Sequence, residues 1–177
     1  MELTNQYQWY KLDEQKLGNS YGDLYIRIYA RWISQIENTL QSIVEYQARA
    51  YYSGNSYIYD AGSYGNISGT GAISGSYSRS QSYPSGETPL LTINGTVNHD
   101  SDTGEASITA SASLVFPNWG WSKTASGSAT LPTIDVSTLR LRVNGNWVKA
   151  KPYLRVNGSW KQCKAYLRNN NSWKKGV

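Results

Sequence analysis

Leu24-Tyr25-Ile26-Arg27-Ile28-Tyr29-Ala30-Arg31 alternates one apolar residue with one aromatic or basic residue over its whole length. Side chains on an extended chain point to opposite faces in turn, so this period of two predicts a half-buried β-strand. Working outward, Ile43 to Tyr52 predicts a second strand, with Ile36-Glu37-Asn38 able to start a helical turn between them. Residues 53–87 are Gly, Ser and Tyr in loose alternation, including Tyr57-Ile58-Tyr59 and Ile67 through Tyr77. Such a stretch is either low-complexity disorder or a set of strands whose small residues let sheets pack closely. The spacing of Ile and Tyr favours strands. Leu91 to Val97 and Ala106 to Leu114 flank His99-Asp100-Ser101-Asp102-Thr103-Gly104, and together they read as a hairpin. A last strand, Ala125 to Leu131, ends at Pro132, which has no backbone donor for a ladder.

About seven strands at this density predict an all-β fold, an immunoglobulin-like antiparallel β-sandwich over residues 23–135. The first 22 residues, with Tyr7, Trp9 and Tyr10 among charged and amide side chains, show no clean period and read as an arm. Pro132 to Thr138 reads as the boundary before a separate C-terminal module, residues 139–177.

Charge divides the chain at the same place. Of 17 Lys/Arg and 12 Asp/Glu, residues 1–138 hold seven basic and all twelve acidic side chains, a sum of −5. Residues 139–177 hold ten basic and no acidic ones, a sum of +10, which implies modules with different partners. The composition is rich in Tyr (15) and Trp (7) and has one Phe, one Met and one His, unlike an ordinary globular enzyme. No apolar run approaches the roughly 18 to 20 residues of a membrane span, so no membrane association is expected. Met1-Glu2-Leu3-Thr4-Asn5-Gln6 lacks the basic and apolar regions of a signal peptide, and lone Cys163 cannot form an intrachain disulfide. Both suit synthesis in a reducing compartment. The Asn-x-Ser/Thr matches at Asn66, Asn94, Asn157 and Asn170 then read as turn chemistry rather than glycosylation sites.

The C-terminal module is an internal repeat. Leu141-Arg142-Val143-Asn144-Gly145-Asn146-Trp147 recurs as Leu154-Arg155-Val156-Asn157-Gly158-Ser159-Trp160, and in degraded form as Leu167-Arg168-Asn169-Asn170-Asn171-Ser172-Trp173. The step is 13 residues each time, and Tyr153 and Tyr166 also correspond. Each unit predicts a β-hairpin around a two-residue turn, type I′ where Asn-Gly supplies two positive φ angles. Candidate contact residues are Trp147, Trp160, Trp173, Tyr153 and Tyr166, flanked by Arg142, Arg155 and Arg168. Three roles compete for this aromatic and basic stripe. It is packing or an assembly interface, a glycan surface whose cations meet anionic wall polymer, or a single-stranded nucleic-acid surface. No recognised nucleic-acid motif accompanies it, so nucleic acid is not an expected partner.

Catalytic chemistry is not expected. A general base must stand within reach of its target, and the single histidine, His99, falls beside a predicted turn among many Ser and Asp. Asp100, Asp102 and Glu105 lack the spacing of a calcium loop, and Cys163 has no partner at zinc spacing. Neither metal nor cofactor is expected.

Leu24 to Ala30, Leu91-Thr92 through Val97-Asn98-His99-Asp100-Ser101-Asp102-Thr103-Gly104, and Ser126-Gly127-Ser128-Ala129-Thr130-Leu131-Pro132-Thr133-Ile134 carry a family likeness. Residues 23–135 resemble a domain of unknown function from structural proteins of tailed phages (siphophages) and prophages of Gram-positive bacteria. The repeat resembles the Val-Asn-Gly-x-Trp repeats that end many phage tail and fibre proteins. The resemblance implies a non-enzymatic virion component, a tail or fibre protein made in the host bacterial cytoplasm. Its implied partners are other virion proteins, further copies of itself and cell-wall glycan. The chain departs from the family in its tyrosine-rich middle, an extra residue in the His99 turn and its short length. A wall-binding carbohydrate module of a lysis or surface system, and a capsid decoration or head-fibre protein, are the alternatives.

Overall fold

The computed structural model describes residues 1–19, 21–80, 82–136, 139–150, 152–163, 166–169 and 172–175; for 139–142, 146–149, 162, 166–169 and 172–175 it describes the backbone alone. The chain divides into two compact units, Met1–Ile134 and Asp135–Val177.

The first unit is an all-β sandwich of two antiparallel four-stranded sheets. One sheet is ordered β1 (Tyr10–Asn19), β2 (Asp23–Ile36), β3 (Gln41–Tyr59), β6 (Ser82–Asn98); the other runs β5 (Gly75–Arg79), β4 (Ser63–Gly69), β7 (Ser107–Phe116), β8 (Trp121–Thr130). The alternation that predicts β2 is obeyed without exception where it is strongest. Leu24, Ile26, Ile28 and Ala30 are all fully buried, and the intervening residues face outward. Val44, Tyr46, Ala48, Ala50 and Tyr52 of β3 share that interior with Ile108, Ala110, Ala112, Leu114 and Phe116 of β7. Alanines at 30, 48, 50, 110, 112, 125 and 129 are buried in this layer, and Tyr46, Tyr83 and Phe116 are its largest fully buried side chains. Gly69 is needed there, because a Cβ at that position would lie 2.5 Å from the Tyr46 ring, whose hydroxyl donates to the Thr70 carbonyl at 2.8 Å. The Gly/Ser/Tyr stretch is therefore ordered sheet, supplying the end of β3, then β4, β5 and the start of β6.

The N-terminal arm needs correction. Its second half is β1, paired antiparallel to β2 from Tyr10↔Ala30 to Asn19↔Asp23. Leu3 is fully buried, and its amide donates to the Thr130 carbonyl at 3.0 Å. Register shifts at Lys11/Asp13 and Lys16/Gly18 explain why no period is visible: each bulge reverses which parity faces the core. β1 also meets β8, where the Ser126 amide donates to Asp13 Oδ2 at 2.9 Å.

The expected hairpin across residues 99–104 is a second correction. β6 pairs with β3, and β7 pairs with β4 and β8, so this connection crosses from one sheet to the other. Alternation reports that one face of a strand is buried, not which strand lies beside it. Asn66 and Asn94 likewise lie inside β4 and β6 rather than in turns. The segment after Ile36 forms a tight turn, with Thr39 and Leu40 amides donating back to the Ile36 and Glu37 carbonyls.

Among its described residues the second unit holds three two-stranded antiparallel sheets: β9 (Leu139–Val143) with β10 (Asn146–Ala150), β11 (Tyr153–Val156) with β12 (Ser159–Gln162), and β13 (Tyr166–Asn169) with β14 (Ser172–Lys175).

Candidate functional site

The hairpin turns form as their chemistry dictates. Asn144 and Gly145 have φ of 50° and 85°, and Asn157 and Gly158 have φ of 50° and 83°, the pair of left-handed residues that a type I′ turn requires. Asn170 and Asn171 of the third turn lie outside the described residues.

With the turns set, register follows. Arg142 is paired with Trp147, Arg155 with Trp160 and Arg168 with Trp173. Three successive hairpins thus place a guanidinium-bearing residue directly across from an indole-bearing one. Tyr153 pairs with Gln162, and Tyr166 with Lys175, two positions further from each turn. Around the second turn the pairs bonded through their backbones are those at Val156, Leu154 and Pro152, the last shown by the Cys163 amide donating to the Pro152 carbonyl at 2.9 Å. Arg155 and Trp160 fall between them, in the class of pair whose side chains stand closest.

Side-chain positions are described for the second hairpin. Trp160 is 69% exposed, Leu154 59% and Tyr153 52%, and Arg155 and Lys161 are exposed as well. Tyr153 and Leu154 are adjacent in β11 and so point to opposite faces, and each face of this hairpin carries an exposed apolar or aromatic side chain. Apolar surface on both sides of a two-stranded ribbon gains nothing until something packs on it. The side chains of Trp147, Trp173, Tyr166, Arg142 and Arg168 lie outside what is described.

The outer face of the first sheet is also aromatic and basic, but its groups satisfy one another. Arg27 bonds Glu14 and Glu87, Arg49 bonds Glu87 at 2.7 Å, and Arg31 bonds Glu45 at 2.6 Å. Arg27 lies 3.8 Å over the Tyr51 ring, Arg49 4.3 Å over Tyr29 and Arg31 4.4 Å over Trp9.

His99 is buried and bridges two segments. Its Nε2 is 2.7 Å from Ser42 Oγ and its Nδ1 is 2.7 Å from the Gly104 carbonyl. The carbonyl can only accept, so Nδ1 donates to it, and in the neutral ring Nε2 accepts from the serine hydroxyl. Ser42 is fully buried, so the pair ties the crossover loop to the start of β3. Asp100 Oδ1 accepts from the Asp102 and Thr103 amides at 2.8 and 2.7 Å, and these bonds lower its pKa. Among the described residues, no three His, Cys, Asp or Glu side chains are grouped to hold a metal ion. Cys163 is exposed.

One constellation is not visible in the sequence. Asn118 Nδ2 donates to Asp60 Oδ1 at 3.1 Å, and Trp119 Nε1 donates to the Tyr59 carbonyl at 3.2 Å. The four residues lie in two segments far apart in the chain, and the Pro117-Asn118-Trp119-Gly120 turn is the local signal that points to them.

No protein-family model matches this chain, and a search of curated proteins finds no match.

Proposed function

We propose that this chain is a non-enzymatic structural protein of a tailed-phage virion, a tail or fibre component that joins particle assembly to host-surface attachment. The observation that carries the reading is the second hairpin, with Trp160, Tyr153 and Leu154 uncovered and Arg155 held across from Trp160, in a segment of net charge +10. Such ribbons suit a role completed by other chains: further copies, neighbouring virion proteins, or anionic cell-wall glycan. The resemblance of residues 23–135 and of the repeat to phage structural proteins supports the same reading.

We also propose that the sandwich is immunoglobulin-like, a reading that the strand order supports in part. β2-β3-β6 facing β4-β7-β8, with the chain crossing between sheets after β3, β5 and β6, parallels the strands A-B-E and C-F-G of such sandwiches, while β1 is an added edge strand and β5 lies beside β4 rather than in the first sheet.

Two measurements test the reading. The protein is expected in washed virions by mass spectrometry, and its absence overturns a structural role. The full chain is expected to co-sediment with Gram-positive cell walls at low salt and less at high salt, and residues 1–136 alone are not. A chain that sediments with walls but is missing from virions would favour the wall-binding module of a lysis system.

A further inference from the structure

The β3–β4 and β7–β8 connections meet at one end of the sandwich. Tyr59, the last residue of β3, and Asp60 after it hold two consecutive residues of the other connection, Asn118 and Trp119. Asp60 is fully buried, and among the described residues its Oδ2 has no hydrogen-bond partner. Burial pushes its pKa up, and hydrogen bonding from Asn118 counters only part of that. A buried carboxyl with an unused oxygen is costly to keep and is a common mark of a functional site.

What Asp60 secures is the Asn118 amide. Asn118 is exposed, and one of its N–H groups is committed to Asp60, which fixes the amide's orientation. The second N–H and the carbonyl oxygen, with its two lone pairs, remain to be used. Next to it, Trp119 is 42% exposed and is fixed twice, by its bond to the Tyr59 carbonyl and by the Trp121 ring 4.9 Å away. Tyr59 is 52% exposed and Tyr57 is 63% exposed on the same face of β3. A partly exposed indole beside an oriented amide offers stacking surface together with a paired donor and acceptor.

We infer that Asn118, Trp119 and Tyr59 form a binding site for a neutral saccharide, with a pyranose ring stacked on Trp119 and neighbouring hydroxyls bonded to the Asn118 amide. Asp60 is a positioning residue that acts through Asn118. The site is separate from the basic hairpins, and its ligand chemistry differs: stacking and neutral hydrogen bonds change little with salt, whereas contacts of Arg and Lys with a polyanion weaken. Preorganisation of both groups limits the ordering cost of binding.

Tryptophan fluorescence of the full chain, titrated with chitohexaose, maltohexaose and a phosphate-free rhamnose polysaccharide, tests the proposal. At least one is expected to shift the emission saturably, with the same midpoint at low and high salt. W119A and N118S are each expected to weaken that binding at least tenfold, and W160A to leave it unchanged. Circular dichroism checks folding, and N118S decides alone if W119A does not fold. Failure of all three sugars, or retention of binding by N118S and a folded W119A, overturns the saccharide site. Loss of binding in W160A alone would assign the sugar to the hairpins instead.

Discussion

Glu87 accepts from Tyr29, Arg27 and Arg49 on the outer face of the first sheet, at 2.5, 2.8 and 2.7 Å. Partial burial works against its charge, yet these three donors prevail and hold its pKa down to about 2, against an ordinary 4.5. Its neighbour Tyr29 moves the other way, to about 12, because burial and the nearby carboxylate both disfavour the phenolate. A depressed carboxyl pKa stabilises the fold above the unfolded value and loses that contribution as pH falls through the folded one. Stability should therefore decline between about pH 4.5 and pH 2, by roughly 2 kcal/mol from this group after allowing for its partial exposure. Urea unfolding at pH 7, 4 and 2.5 checks this. E87Q should be less stable than the parent at pH 7 and show a shallower decline on acidification. His99 acts through geometry. H99A would leave both the buried Ser42 hydroxyl and the Gly104 carbonyl without their partner, at a cost of about 2–4 kcal/mol, read from the urea midpoint at pH 7.

At the scale of elements, β1 and the hairpin turns differ in how much they depend on the rest of the molecule. β1 is bulged and has four charged residues among its ten, and it has a place because β2 offers an open edge and β8 offers the Ser126 amide. Deleting residues 1–19 would uncover that edge and remove buried Leu3 and Leu17, worth about 2 kcal/mol each by area. The truncated chain is expected to unfold at lower urea and to aggregate through β2, measurable by light scattering. The hairpins rest on local chemistry. G158V would place a β-branched residue at φ 83°, costing at least about 1 kcal/mol in a ribbon that is marginal to begin with. Loss of the cross-strand contacts between Arg155 and Trp160 in NMR spectra, with the sandwich resonances unchanged, is the expected result.

For the molecule as a whole, Met1–Ile134 has its own core, so removing residues 137–177 should leave one cooperative unfolding transition with the same urea midpoint. The same deletion changes the formal charge from +5 to −5 and should abolish salt-sensitive binding to cell walls. Much of this organisation is legible from the chain. The alternation at Leu24–Arg31 identifies a strand and its buried face, the Asn-Gly pairs identify two turns, and the 13-residue period implies the repeated Arg–Trp register, because each depends on neighbours close in sequence. Tertiary structure alone decided which sheet each strand entered, since pairing energy depends on partners far away in the chain. It drew β1 out of an aperiodic segment, turned an apparent hairpin into a crossover fastened by His99, and brought Tyr59-Asp60 against Asn118-Trp119. Local sequence sets which way a side chain faces; only packing of the whole chain sets what it meets there.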